Sequence, residues 1–218
     1  MEPVSSIPYR RDHRSGGTQS TLLRLVPSGS TVLDLGCSTG YMGSELRRSN
    51  CEVYGVDANP LAVEAARSQG YADVRVFDLN HGEGVPFGDR QFDVILAADV
   101  LEHLLSPEEM LRRLHAILAP GGTLLVSLPN VAHVSVRLAL LRGRFDYRDV
   151  GIMDRTHLHF YTFSSARSML EGTGWRVQRM YCGAALSGNF LNRFPLAATA
   201  LRGLLSTGII LVASHADS

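Results

Sequence analysis

The feature that most constrains the fold is a repeated alternation of apolar runs with amphipathic stretches of helical periodicity. The apolar runs are rich in valine, isoleucine and leucine, which is typical of strands buried on both faces of a parallel sheet covered by helices. We predict seven strands, at residues 31–35, 52–57, 74–78, 92–97, 122–127, 176–182 and 209–213, with helices between most of them. The predicted fold class is therefore α/β, with a doubly wound, seven-stranded and mostly parallel sheet.

The length of 218 residues favours one domain, because it allows one substantial hydrophobic core and is short for two. Within a single domain over residues 1–218 we distinguish an N-terminal arm, residues 1–20. The least regular region is an insertion after the fifth strand, residues 129–162, which contains several aromatic residues and three histidines. We expect this insertion to cover a pocket.

Charge and cysteine content restrict the partners and the compartment. Lysine plus arginine and aspartate plus glutamate both number 21, so no global field attracts nucleic acid or an anionic membrane. Cys37, Cys51 and Cys182 have no metal-ligand spacing and are interpreted as reduced thiols, which predicts a cytoplasmic protein without a metal site. The apolar stretch 196–213 approaches the length of a membrane span, but glycine, serine and threonine near its middle favour a short helix, a turn and a buried strand.

The first predicted strand leads into a glycine-bearing turn, Val32-Leu33-Asp34-Leu35-Gly36-Cys37-Ser38-Thr39-Gly40. Gly36 and Gly40 allow the backbone to turn sharply and to approach a ligand at the start of a helix. The dinucleotide spacing G-x-G-x-x-G fails because its second and third glycines would fall on Ser38 and Tyr41. The carboxylate of Asp34 disfavours a pyrophosphate and favours an ammonium group, although a plain turn without ligand is the alternative.

Further acids follow the next strands. Asp57 closes the second strand, where a carboxylate can accept hydrogen bonds from both ribose hydroxyls of a nucleoside. Asp78 could accept from an adenine amino group, with Ala58 or Leu79 against the ring, or could instead cap a helix. In open α/β sheets, ligands bind beyond the carboxyl ends of the strands, so we expect these acids to border one site.

The segments VLDLGCSTG, VYGVD, VFDL, FDVILAADVLEHL and LAPGGTLLVSLPN, in this order, resemble the motifs of class I S-adenosylmethionine (SAM)-dependent methyltransferases over about residues 31–130. The resemblance implies SAM as cofactor and S-adenosylhomocysteine (SAH) as product. It implies that Asp34, Gly36, Ser38 and Gly40 surround the methionine portion, with Cys37 in the same loop. It assigns the ribose to Asp57, the adenine to Asp78 and Leu79, and the sulfonium side to Ala98 and Asp99. By analogy, the arm residues Tyr9, His13 and Arg14 could fold over the cofactor carboxylate.

The second half resembles a branch of this family that includes ubiquinone-biosynthesis O-methyltransferase relatives and MetW-like proteins, whose acceptors differ. A hydroxyl acceptor needs a base, and His157 and His133 are our candidates because both lie in the insertion. A carboxylate acceptor needs no base and could be oriented by Arg144, Arg148 or Arg155.

We therefore predict a methyltransferase for a small-molecule acceptor, with oxygen preferred, in secondary-metabolite, saccharide or quinone-type biosynthesis. The second hypothesis is a non-catalytic SAM-binding partner of a biosynthetic enzyme, as in MetW-like proteins. The third is a dinucleotide oxidoreductase, which would bind NAD. A homodimer is a further expectation.

Overall fold

The computed structural model describes residues 17–81, 84–183 and 203–216. Its numbered helices are α1 to α6, at Thr18–Leu25, Tyr41–Arg48, Pro60–Arg67, Pro107–Leu114, Val134–Leu141 and Phe163–Glu171. Its strands are β1 to β7, at Thr31–Leu35, Glu52–Asp57, Asp73–Val76, Phe92–Ala98, Leu118–Pro129, Trp175–Cys182 and Gly208–His215. A short 3-10 helix, Leu101–His103, follows β4.

The seven strands form one sheet in the order β3-β2-β1-β4-β5-β7-β6. Strands β1 to β5 pair in parallel, while β7 runs antiparallel to both β5 and β6. The predicted α/β fold with a mostly parallel seven-stranded sheet is therefore confirmed. The strand order reverses at β1, which lies between β2 and β4, and a crevice at such a reversal is where doubly wound sheets bind ligands.

Several predicted strand boundaries were wrong by one to four residues, among them the end of β3 and the start of β5. The third strand ends at Val76 rather than at Asp78, and the chain turns at residues 79–80. The fifth strand begins at Leu118 rather than at Gly122, because the register of β5 against β4 shifts from Phe92–Leu118 to Val94–Thr123. Pro120, Gly121 and Gly122 therefore lie in a bulge of the strand, a common place for proline and glycine in sheets.

The helices cover the sheet on both faces and bury two large apolar clusters. One contains Leu33, Ile95 and Leu124 with Trp175, and the other contains Val32, Leu96 and Leu125 with Leu22 of α1. Neighbouring residues of one strand alternate between the clusters because successive side chains point to opposite faces. Both faces are thus closed to water, and the loops at the carboxyl ends of β1, β2 and β4 carry the polar groups.

The insertion after β5 contains α5 and a series of turns. Helix α5 begins at Val134, because His133 is its N-cap. Residues 140–151 are all exposed, and the far end of the insertion returns to the sheet where Tyr161 forms a parallel bridge with Asn130. Across the described ranges, the structure contains no helix long and apolar enough to cross a membrane.

Candidate functional site

The loop between β1 and α2 has the left-handed backbone that its glycines predict. Gly36 and Gly40 have φ values of +66° and +88°, and Ser38 between them has φ +48°. A Cβ on Gly36 would lie 2.7 Å from the Val100 side chain, so a larger residue would displace the loop. These alternating left-handed residues turn the backbone tightly, and the N–H groups of Cys37 and Gly40 donate to the carbonyls of Val56 and Cys37 at 2.9 and 3.0 Å.

Asp57 ties this loop to the end of β2. Its Oδ2 accepts a hydrogen bond from the Ser38 backbone N–H at 2.8 Å, and its Oδ1 accepts from the Asn59 N–H at 2.8 Å. Each carboxylate oxygen has two lone pairs, so both retain capacity for one further donor. The placement is compatible with the predicted ribose contact, and Ala58 lies exposed beside it.

Asp34 is more enclosed than the sequence predicts. It is 1% exposed, and its Oδ2 accepts a 2.6 Å hydrogen bond from the hydroxyl of Tyr71. The pKa of Asp34 is raised to about 7, mainly by burial. The hydrogen bond from Tyr71 lowers the pKa, and the charge of Asp57 contributes to raising it. We expected a permanently charged Asp34, whereas in the structure its charge depends on pH near neutrality.

The side chain of Cys37 faces the core and not the ligand space. It packs in a small cluster with Val63, Ala66 and Val74. Burial, followed by the charges of Asp34 and Asp57, raises the pKa of the thiol far above its usual range. The implied cofactor contact of Cys37 is therefore restricted to its backbone.

The segment after β3 is organised by Asp78. Its carboxylate accepts from the Asn80 N–H at 2.9 Å and lies 2.7 Å from His81 Nδ1, contacts that lower the pKa of Asp78 with the Asn80 N–H as the main cause. Asp78 thus closes a turn, and the alternative prediction that it caps a helix was wrong. Leu79 is buried at the edge of the large core cluster, and Asn80 Oδ1 accepts from Leu105 N–H at 2.7 Å, which joins the loops after β3 and β4.

At the end of β4, Asp99 has a left-handed backbone, with φ +55°, and adjoins the half-buried Ala98. The Ser127 hydroxyl donates to Asp99 Oδ1 at 2.8 Å and accepts from the Asp99 N–H at 3.0 Å. The strained residue is thus held by the neighbouring strand. Strain of this kind is concentrated at functional sites.

A cluster of ionisable groups lies next to Asp99, and we call Glu102, His103 and His157 the acceptor-side cluster. The rings of His103 and His157 contact edge to face at 4.8 Å. The insertion is fastened here, because Leu158 and His159 donate backbone N–H groups to the Glu102 carbonyl at 2.8 and 3.2 Å. Of our two candidate bases, only His157 belongs to this cluster.

Glu102 is fully buried, and neither carboxylate oxygen has a hydrogen-bond partner among the described residues. Burial, followed by the charge of Asp99, raises the pKa of Glu102 well above its usual value, which favours the neutral acid. Glu102 was not among the predicted site residues. Its position beside His103 in the resembling motif was the available signal.

The acceptor-side cluster also has the ligand types that divalent metals accept. Within the described ranges, Glu102, His103 and His157 each offer one ligand atom, and these atoms lie within 4.8 Å of one another. The absence of a metal site, which we expect from the sequence, stays a prediction.

His133 has a different role from His157. Its Nδ1 accepts from the Ser135 N–H at 3.3 Å and lies 2.8 Å from the Ser135 hydroxyl, so it caps α5. Tyr9, His13 and Arg14, the arm residues expected over the cofactor, lie outside the described residues.

Comparison with known proteins decides the family. A profile described as a methyltransferase domain matches residues 9–179. The chain belongs to the class I SAM-dependent methyltransferases. The cofactor of this family is SAM, as the motifs implied.

Curated relatives include a ubiquinone biosynthesis O-methyltransferase of Ruegeria pomeroyi, 33% identical over 52% of this chain and 47% of the relative. The mitochondrial enzyme of the same name in Schizosaccharomyces pombe is 28% identical over 69% of this chain and 56% of the relative. The chain thus spans about half the length of the curated relatives it matches.

Solved structures agree on the fold. The CcbJ methyltransferase from Streptomyces caelestis has a TM-score of 0.64 at 16% identity, covering 92% of this chain and 95% of that one. A SAM-dependent methyltransferase from Mesorhizobium loti has a TM-score of 0.63 at 16% identity, covering 91% and 98%. This likeness shows the fold of the family.

Proposed function

We propose that the chain is an O-methyltransferase that transfers the methyl group of SAM to a hydroxyl of a small-molecule acceptor. The observation that carries the proposal is the position of His157, a half-buried histidine held in the acceptor-side cluster next to Asp99. The identity of several relatives as O-methyltransferases supports the choice of oxygen. The expected cytoplasmic location and the homodimer stay predictions.

The cofactor half of the site follows the motif order. We propose that the loop over Gly36, Ser38 and Gly40 takes the methionine portion of SAM, with Asp34 receiving its ammonium group. Asp57 uses its remaining lone pairs for the ribose, and Asp78 with Leu79 borders the adenine. Methyl transfer is an in-line displacement at carbon, in which the acceptor oxygen forms the new bond as the carbon–sulfur bond breaks, so alignment and exclusion of water are the main tasks of the protein.

The hydrogen bonds of the two candidate histidines distinguish a base from a structural residue. His157 Nδ1 lies 3.1 Å from the Ile152 carbonyl oxygen, which favours the proton on Nδ1 and a lone pair on Nε2. His133 Nδ1 instead accepts from a backbone N–H, so its proton is on Nε2 and its lone pair is engaged. Burial, followed by the charge of His103, lowers the pKa of His157, which keeps it neutral at physiological pH. We therefore propose His157 as the general base and His133 as a helix cap.

The insertion favours an aromatic hydroxyl over a carboxylate. Phe160 is 6.3 Å from the His157 ring and 6.0 Å from Phe145, so aromatic surface extends from the proposed base to a cavity of about 140 Å³ next to Phe145. Of the three arginines considered for a carboxylate, Arg144 pairs with Asp146 at 2.6 Å and Arg155 with Asp149 at 2.7 Å, while Arg148 lines the cavity. An acceptor with a planar ring and an ionisable hydroxyl fits this surface.

The test is a methyl-transfer assay with labelled SAM. The panel contains catechols and hydroxybenzoates, with the matching benzoic acids that lack the hydroxyl as controls. We expect labelled methyl ethers from the hydroxylated compounds alone. Methylation of the benzoic acids would instead show that the acceptor group is a carboxylate and not a hydroxyl.

One observation favours the second candidate, a SAM-binding partner protein without turnover. Leu138, Leu140 and Leu141 on α5 are 43%, 49% and 82% exposed. Neighbouring exposed apolar side chains of this kind often mark a protein–protein interaction surface. Tight SAH binding without transfer to any compound, together with co-purification of one biosynthetic enzyme, would favour this role. The third hypothesis, a dinucleotide oxidoreductase, is wrong, because the chain belongs to the methyltransferase family.

A further inference from the structure

Tyr71 reaches the cofactor loop from a distant part of the chain. It lies in the connection between α3 and β3, 37 residues from Asp34 in the sequence. Its hydroxyl donates to Asp34 at 2.6 Å and accepts from the Gly43 N–H of α2 at 3.1 Å. Because the Gly43 N–H occupies the acceptor side of this hydroxyl, the hydroxyl proton is directed at the Asp34 carboxylate.

Two glycines provide the space for this tyrosine. A Cβ on Gly43 would lie 2.1 Å from the Tyr71 ring, and a Cβ on Gly55 would lie 2.8 Å from it. Gly43 is inside a helix and Gly55 inside a strand paired with Asp34, both positions where glycine weakens the element. The chain therefore accepts two locally unfavourable residues where they allow the Tyr71–Asp34 contact.

We propose that Tyr71 is a positioning residue of the cofactor site, which holds the Asp34 carboxylate in the orientation and the charged form that receive the ammonium group of SAM. The inference rests on the proposed function, because it takes Asp34 as the ammonium partner. Tyr71 does not touch the reacting atoms and acts through Asp34 alone.

The charges around Asp34 make this contact consequential. Burial and the nearby charge of Asp57 both favour the neutral acid, and the Tyr71 hydrogen bond is the main effect that favours the carboxylate. Cys37 keeps its proton and adds no charge. Arg47 of α2 lies against Gly70, next to Tyr71. Without the Tyr71 hydroxyl, a larger fraction of Asp34 would be neutral at pH 7.

The experiment compares Tyr71→Phe with Tyr54→Phe. Tyr54 is a matched control because its hydroxyl also donates to a carboxylate, Glu52 at 2.8 Å, but at the opposite end of β2. Binding of SAH is measured by calorimetry from pH 6 to pH 9, with unfolding curves as a check on folding. Titration of SAH itself is common to all proteins and cancels in the ratio of their dissociation constants.

We expect Tyr71→Phe to bind SAH about five-fold or more weakly than wild type at pH 7, because loss of a hydrogen bond to a charged group raises the Asp34 pKa by roughly one unit or more. The difference should shrink to about two-fold or less at pH 9, where Asp34 is largely ionised in both proteins. Tyr54→Phe should match wild type throughout. On an Asp34→Asn background, Tyr71→Phe should have no further effect on binding.

Each opposite outcome has one meaning. Equal affinities of wild type and Tyr71→Phe at every pH, or a pH-independent loss that persists on the Asp34→Asn background, would overturn the role of Tyr71. Absence of SAH binding by the wild-type protein would instead overturn the cofactor site on which the inference rests.

Discussion

Replacement of Asp34 by asparagine should stabilise the folded protein while weakening its cofactor site. Burial raises the Asp34 pKa from 3.8 to about 7, and a difference of about three pKa units corresponds to about 4 kcal/mol. The folded state holds the Asp34 proton more tightly than the unfolded state does. The stabilisation of the folded state by the protonated Asp34 is therefore complete below pH 3.8 and is lost as the pH rises through about 7.

Over the accessible part of this range, from pH 5 to pH 8, ionisation of Asp34 should lower the free energy of unfolding by about 2.5 kcal/mol. Asparagine has nearly the same shape, and its amide oxygen can still accept from Tyr71. The stability of Asp34→Asn should therefore exceed that of wild type by a margin that grows with pH. Affinity for SAH should fall, because the ammonium partner is gone.

The assay is urea unfolding of wild type and Asp34→Asn at several pH values between 5 and 8. Glu102 also has a raised pKa, but it is present in both proteins and cancels in the difference between their unfolding free energies. Two curves that stay parallel over this range would refute the reasoning, since Asp34 would then have the same pKa in the folded and unfolded states.

The other predictions concern the remaining site residues. Asp57→Ala should weaken SAH binding about ten-fold or more in a calorimetric titration, because it removes charge-assisted hydrogen bonds. The control Asp73→Ala loses an exposed ion pair with Arg75 and should bind SAH as wild type does. His157→Ala should reduce kcat by about 10² to 10⁴-fold with unchanged SAH affinity, while His133→Asn, which keeps an N-cap, should retain activity; equal losses would remove the distinction between them. In wild type, kcat should rise with pH and level off near neutrality, because the base works in its neutral form and the His157 pKa is lowered; a profile still rising above pH 8 would exclude His157. If His157 is the general base, chelation with EDTA should leave turnover unchanged. A loss of turnover that a divalent cation restores would assign the acceptor-side cluster to metal binding.

The sequence predicts the sheet well where burial is continuous. Strands β1 and β2 have the predicted bounds, 31–35 and 52–57, because both are buried on two faces, and β1 is followed by the turn residue Gly36 while β2 ends at Asp57. The start of β5 was missed because Pro120 and two glycines indicate a break, and only the pairing with β4 shows that the strand continues through a bulge. The register of β5 against β4 cannot be predicted from the local sequence alone.

The candidate site shows the same division. The left-handed backbone at Gly36 and Gly40 is one that glycine readily adopts, so the sequence predicts the turn in this loop. Tyr71 has no motif, and its contact with Asp34 depends on how α3 and β3 are joined. Glycines in the middle of α2 and β2 were a usable signal, since both positions favour larger residues unless a neighbour needs the space.

The closure of the insertion at its base has a consequence for its length. Val131 donates its backbone N–H to the Tyr161 carbonyl at 2.9 Å, and the buried Asn130 side chain donates to the carbonyls of Gly203 and Ser206. The two ends of a segment of about thirty residues thus meet at one point on the sheet, and loop length between such fixed ends changes the cost of closure only slowly. Insertions of different lengths can therefore connect the same two ends, while the strands of the sheet keep their register.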